Sequence, residues 1–222
     1  MKKYKFDPHT HTAECSHCGI MPAKELVDAY HSAGFTGIAI TDHVCQHYCT
    51  SNWETSVKDR MRGYKAAKKR GDEIGLDVVL GIELRFNISW SDYLIYGIDE
   101  DFLLANPHPY RLTPQEFYRR HGGDVLIIQA HPYRDICSAP LTDCIHGFEV
   151  FNGNARHNNN DKKVFKLCKK HPDLYQINSS DAHEPQDVGR EWIMLEERAI
   201  DSFSFKEIIA SHRYELERIP RG

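Results

Sequence analysis

The stretch Phe6-Asp7-Pro8-His9-Thr10-His11-Thr12 decides how the rest of this chain is read. Two histidines one residue apart, at the end of a strand-like run, set both imidazoles on the same side of an extended backbone. That is how a protein offers two nitrogen ligands to one metal ion. A lone His-x-His is weak evidence. Here it is followed by Thr41-Asp42-His43, Gly81-Ile82-Glu83, Gln129-Ala130-His131-Pro132 and Ser180-Asp181-Ala182-His183, each just after an apolar run. Together these motifs predict a polynuclear metal site, and they give a reason for 14 histidines in 222 residues.

The length suits one large α/β domain, read here as a single unit over 1–222. Hydrophobic content of 41% and charged content of 27% are ordinary for a globular protein. A net charge of −4 gives no bulk attraction to a polyanion or an acidic membrane surface. The short basic clusters, such as Lys68-Lys69-Arg70, are dispersed among carboxylates and read as solvated helix faces. The start, Met1-Lys2-Lys3-Tyr4-Lys5, carries no apolar signal region, and no apolar stretch approaches membrane-spanning length. Seven cysteines, an odd number with several beside presumed ligands, argue against a disulfide framework. A reduced, cytoplasmic protein with no membrane partner is expected.

Apolar runs alternate with helical patterns along the whole chain. Strands are expected over 4–7, 37–41, 78–83, 93–97, 125–130, 148–152, 175–180 and 192–195, most of them rich in Ile, Val and Leu as strands buried on both faces should be. Helices are expected over 23–33, 55–73 and 160–170, with capping boxes beginning at Thr113 and at Ser204. Repeated β-α implies a parallel sheet or barrel. His9, His11, His43, Glu83, His131, Asp181 and His183 all fall at or just past the carboxyl ends of different strands. In a closed barrel those ends meet on one face, whereas an open sheet would spread them along an edge. Closure is the economical expectation.

In this order, Asp-x-His-x-His-Thr, Thr-Asp-His, Gly-x-Glu, Ala-His-Pro and Ser-Asp-Ala-His resemble the PHP (polymerase and histidinol phosphatase) family, from Asp7 through His183 and on towards Arg190. The resemblance implies a distorted (β/α)7 TIM-like barrel and a metal-dependent phosphoesterase with two or three divalent ions. It implies that His9, His11, Glu83 and Asp181 hold the first ion, with Glu83 bridging to a second that also uses His131. The third ion would take His17, His43 and His183. Family members often carry a histidine on the strand after Gly-x-Glu; here that strand reads Ser91-Asp92-Tyr93-Leu94-Ile95-Tyr96-Gly97. Asp92, His108 or a weak second site are the alternatives.

Mixed imidazole and carboxylate ligands suit zinc, manganese or iron. A metal-bridging hydroxide would then be the nucleophile, acting on a phosphomonoester or phosphodiester of a small metabolite or nucleotide. Asp42 and Asp7, beside ligands, are placed to orient imidazole N–H groups, or are simply strand-end carboxylates. Phosphate calls for a forked cation. Arg134, directly after His131-Pro132-Tyr133, is the first choice, Arg190 the second, and Arg156 a candidate for the pocket wall. Cys15, Cys18, Cys45 and Cys49 have spacings seen in structural zinc sites, with free thiols as the plainer reading. Trp53, Tyr48 and Tyr133 are candidates to stack on a substrate ring, against a default of ordinary packing. The competing functions are an amidohydrolase-type C–N hydrolase and a non-catalytic metal-binding module. Nucleic acid is a less favoured substrate, and the oligomeric state is open.

Overall fold

The computed structural model describes residues 2–135, 137 and 140–218. β1 (Tyr4–Thr10) leads through α1 (Ala23–Ser32) to β2 (Gly37–Ile40) and the two-residue β3 (His43–Val44). α2 (Trp53–Ile74) is followed by β4 (Asp77–Leu80), β5 (Ile82–Arg85) and β6 (Asp92–Tyr96). Then come α3 (Glu100–Ala105), α4 (Pro114–His121), β7 (Leu126–Gln129) and β8 (Gly147–Asn152). α5 (Asp161–Lys170), β9 (Tyr175–Ser179), β10 (Glu191–Leu195), α6 (Ser202–Ala210) and β11 (Tyr214–Arg218) follow.

The strands do not close into the expected (β/α)7 barrel. Among the described residues they form a five-stranded sheet, β11-β10-β1-β2-β4, and a six-stranded sheet, β3-β5-β6-β7-β8-β9. Nor is the pairing all parallel: β6 runs antiparallel to β5 and β7, and β10 antiparallel to β1 and β11. The connection between β5 and β6, residues 86–91, is too short for the crossover that parallel neighbours need. A strand buried on both faces reads the same in either direction, so its apolar run could not reveal this.

The single strand expected over 78–83 is in fact two. β4 pairs with β2 in one sheet, whereas β5 pairs with β3 and β6 in the other. Gly81 sits at the changeover, where an added Cβ would meet the Thr41 and Tyr96 side chains at 2.9 Å. Apolar residues continue through this point, so only the glycine marks it. On the opposite seam a parallel bridge joins Thr10 to Ala182, with His11 N–H donating to the Ala182 carbonyl at 3.0 Å. The two sheets thus touch at the ends of β1 and β9, which is where the histidine motifs lie.

Helix ends follow local chemistry. Thr113 and Glu116 form the reciprocal capping box expected at α4. α6 begins earlier than the Ser204 reading: Asp201 is the cap and Ser204 its third-position partner. Phe205 and Ile208 of α6 pack on Phe6, Leu94, Tyr96 and Ile193, each burial contributing about 1.5–3 kcal/mol before entropy is counted. No described helix is long and apolar enough to cross a membrane.

Candidate metal centre

His9 and His11 leave β1 on the same face, as their spacing requires, and their Nε2 atoms lie 3.0 Å apart. Glu83 and Asp181 close around them: Asp181 Oδ1 is 3.4 Å from His9 Nε2 and 3.3 Å from His11 Nε2. Glu83 Oε1 lies 3.5 Å from His9 Nε2, and Glu83 Oε2 3.4 Å from His11 Nε2. All four side chains are buried. Each imidazole is held from behind. His9 Nδ1 donates to Glu149 Oε1 at 2.8 Å. Asp42 accepts from the Ser16 hydroxyl at 2.8 Å, leaving the Ser16 oxygen to accept from His11 Nδ1 at 3.3 Å. Both Nδ1 protons are therefore committed, and both Nε2 atoms face the cluster.

Charge divides unequally in this pocket. Burial alone would lower the pKa of His9, but Asp181, Glu149 and Glu83 outweigh it and raise it well above the ordinary value. Burial and the neighbouring His183 leave His11 well below. Burial would raise both Glu83 and Asp181, yet His43 with His9, and His9 with Arg134, hold them well below the carboxylate range. Asp181, at φ 51°, and His131, at φ 30°, occupy the left-handed backbone region that non-glycine residues seldom adopt.

A second group forms from Glu83, Asp92 and His131, whose donor atoms lie within 4.8 Å of one another. His131 Nε2 is 3.0 Å from Glu83 Oε1 and 3.9 Å from Asp92 Oδ2. Because β6 is antiparallel, its first residue rather than its last reaches the site, which brings Asp92 in. His108 does not come near: its Nδ1 bonds the Tyr110 hydroxyl at 2.8 Å and its ring packs on Trp53.

A third group comprises His11, His43 and His183. His17, expected here, is not brought to it; the residue is exposed and its ring packs on Tyr48 at 5.0 Å. Cys18, also exposed as a residue, turns its sulfur to the two histidines instead, with Sγ 3.3 Å from His43 Nε2 and 3.1 Å from His183 Nε2. The four-cysteine zinc reading does not survive. Cys15 is buried against the Asp59 and Arg60 carbonyls, and no described metal-binding group contains the four thiols. Trp53 belongs to the core, donating to the Leu103 carbonyl at 2.6 Å.

The cluster floors a cavity of about 480 Å³ whose wall includes Arg85, Trp90, Arg134, Arg156 and His157. Arg134 is 7% exposed, and all three of its nitrogens are engaged: with Asp181 Oδ2 and Asn159 Oδ1, each at 2.8 Å, and with Asn152 Oδ1. Arg156 lines the cavity but is tied to Glu184 at 2.9 Å and to Asp187. Arg190 is displaced from the site: it bonds the Gln186 carbonyl and lines a neighbouring hollow with residues 158–162. Asp42 does not line the cavity; it reaches His11 through the Ser16 hydroxyl. Gly63 of α2 permits this, since a Cβ there would collide with the Thr12 hydroxyl and the Asp42 carboxylate. Asp7 orients no imidazole. It accepts from the Ser180 and His9 amides at 3.1 and 3.2 Å and from the Tyr30 hydroxyl at 2.6 Å, pinning β1 to the end of β9.

Sequence reasoning passed over Glu149, Ser16 and the asparagines that grip Arg134, and it grouped Cys18 with the other cysteines rather than with His43 and His183. Glu149 did leave a signal: one carboxylate inside the otherwise apolar Phe148-Glu149-Val150-Phe151 run must find a partner when buried.

Solved structures share this architecture. A two-domain protein from Bacteroides vulgatus containing a predicted PHP-like metal-dependent phosphoesterase superposes with a TM-score of 0.70 at 16% identity, over 98% of this chain and 65% of that one. This chain therefore spans less than two thirds of that protein. PsfC from Pseudomonas syringae gives a TM-score of 0.69 at 14% identity, covering 99% of this chain and 93% of the other. An amidohydrolase from Chromobacterium violaceum, with bound sulfate and no metal, gives 0.56 at 16% identity, covering 95% and 97%. At these identities the likeness speaks for the fold. No curated protein matches the sequence. The pattern of the PHP domain matches residues 7–183, most of the length, and the chain belongs to the PHP domain family.

Proposed function

We propose that this chain is a metal-dependent phosphoesterase acting on a small phosphorylated substrate. The observation that carries the reading is the placement of Glu83. One oxygen faces His9 and His131, and the other faces His11 and His43 at 3.4 and 2.7 Å, so one carboxylate serves neighbouring positions.

The donor set fits divalent cations. His9 and His11 present Nε2 atoms to each other at 3.0 Å with two carboxylates alongside, and positive charge is needed between them. His9, His11, Glu83 and Asp181 would hold one ion, and Glu83, His131 and Asp92 a second. Bound there, divalent ions supply Lewis acidity to a phosphoryl oxygen and to water.

The protein's own groups do the rest. Glu149 and the Asp42–Ser16 pair fix the ring orientations of His9 and His11. A guanidinium carries five N–H donors. Three on Arg134 hold Asp181, Asn152 and Asn159, which leaves one on each terminal nitrogen for a phosphate. Trp90, 63% exposed on the cavity wall, offers a face for a sugar or base ring. A cavity of about 480 Å³ suits a metabolite or a single nucleotide better than a polymer, in keeping with the net charge of −4.

The test is hydrolysis of a panel of phosphomonoesters, phosphodiesters and short oligonucleotides before and after chelation. Activity lost in chelator and restored by Mn²⁺ or Zn²⁺ is the expected result. Robust hydrolysis that persists in excess chelator after exhaustive dialysis would overturn the reading.

A further inference from the structure

We propose that Cys18 is a metal ligand, completing with His43 and His183 a thiolate-containing third position that prefers zinc or cobalt to manganese or magnesium. The assignment rests on the metal-dependent reading above. It goes beyond that reading by naming a sulfur donor where His17 was expected.

Convergence carries the argument. Cys18 Sγ lies 3.3 Å from His43 Nε2 and 3.1 Å from His183 Nε2. Neither imidazole has its other nitrogen free. His43 Nδ1 is 2.7 Å from Glu83 Oε2, and His183 Nδ1 donates to the Asp181 carbonyl at 2.9 Å. Both rings are thereby turned so that Nε2 faces the sulfur. Two ring nitrogens within 3.3 Å of one sulfur are a donor set for a single cation. Zinc bound tetrahedrally to sulfur at about 2.3 Å and nitrogen at about 2.0–2.1 Å spaces those atoms by roughly 3.5 Å, within a few tenths of the spacing here. His11, in the same group of ring nitrogens, stands next to this position and connects it to the first cluster.

The backbone explains why the Cys18 sulfur and not the His17 ring turns to these histidines. Ser16 and Cys15 amides both donate to the Thr12 carbonyl, and Gly19 N–H donates to the Ser16 carbonyl at 2.9 Å. Ile20 N–H then reaches the His183 carbonyl, also at 2.9 Å. These bonds fix the turn on both sides of Cys18 and send consecutive side chains opposite ways, the His17 ring onto Tyr48 and the Cys18 sulfur towards His43. Thiolate is the softest donor in the cluster, and soft donors favour zinc or cobalt over the oxygen-preferring ions.

Cobalt(II) is the probe. The 222-residue chain loaded with cobalt should show the near-ultraviolet charge-transfer band of a thiolate–cobalt bond. C18S should lose that band and about one metal ion per chain, while H17A should keep both. Alkylation mapped by mass spectrometry gives an independent readout: Cys18 should be modified rapidly in the metal-stripped protein and at least about tenfold more slowly once zinc is bound. A cobalt-loaded protein without the band, a band retained in C18S, or alkylation of Cys18 indifferent to zinc would each overturn the assignment. These outcomes are separable from the proposed activity, because a chain that hydrolyses phosphoesters through its other ligands would still fail them.

Discussion

The cluster around His9 and His11 and the cluster around His131 and Asp92 share Glu83 but are built differently. In the first, all four ligands are buried and three of them have an orienting partner: Glu149 for His9, Ser16 and Asp42 for His11, Arg134 for Asp181. In the second, Asp92 is already occupied. Arg85 grips its two oxygens at 2.7 and 2.6 Å, and His131 Nε2 stands off at 3.9 Å. The first is preorganised to receive a cation, whereas in the second a cation must compete with a guanidinium. Ligand identity therefore does not rank the two positions; the partners behind the ligands do.

The comparison breaks most completely at Glu83, the shared residue. Glu83→Gln should weaken metal binding at both clusters by more than about a hundredfold, since it removes a ligand from each. Glu149→Gln leaves the ligands in place and loosens the orientation of His9, so it should cost the first cluster about 10–100-fold in affinity and the second, whose His131 amide donates to the same carboxylate at 2.7 Å, less. Metal titration with elemental analysis after dialysis distinguishes them. If Glu83→Gln emptied only one cluster, the bridging role would be lost.

Arg134 sharpens the contrast from the substrate side. Its guanidinium is held by groups belonging to the first cluster, so its two remaining N–H donors are fixed in direction. Arg134→Lys should keep the metals but lose the fork, because lysine is a point charge on a flexible stem. A charge-assisted bond of about 1.5–3 kcal/mol translates into a fall of roughly ten- to a hundredfold in kcat/KM. Arg156→Lys, at a half-exposed ion pair on the cavity rim, should cost less than about threefold. Steady-state kinetics on variants of matched metal content provide the check, and an unchanged kcat/KM in Arg134→Lys would remove that residue from phosphate binding.

The ligands were legible because metal chemistry restricts them to a few residue types at strand ends, where apolar runs stop. His9, His11, His43, Glu83, His131, Asp181 and His183 could be picked out on those grounds, and the structure brings them together. Sheet closure and strand direction were not legible. β6 looks like any strand buried on both faces, and only its antiparallel course brings Asp92 to the cluster. His17 failed for a related reason: within a tight turn neighbouring side chains diverge, and counting residues from His11 cannot say which one points in. The supporting groups were hardest to find, because Glu149 and the asparagines around Arg134 act across 18 to 140 positions of sequence.

A modest expected effect bears most directly on why the two clusters differ. If Arg85 competes with a cation for Asp92, Arg85→Met should tighten binding at the second cluster while leaving the first unchanged. The bidentate pair would be worth about 1.5–3 kcal/mol if buried, but the Arg85 side chain is 40% exposed, and solvent screening brings the competition down to about 1 kcal/mol. That corresponds to a gain of roughly three- to tenfold in affinity for the second ion. A methionine of similar reach covers the same wall of the cavity without donating to a carboxylate. Titration of the second equivalent of Mn²⁺ or Zn²⁺ reads the difference. Weaker binding in Arg85→Met would reverse the interpretation: Arg85 would then be holding Asp92 in its ligating position, and the second cluster would be as deliberately supported as the first.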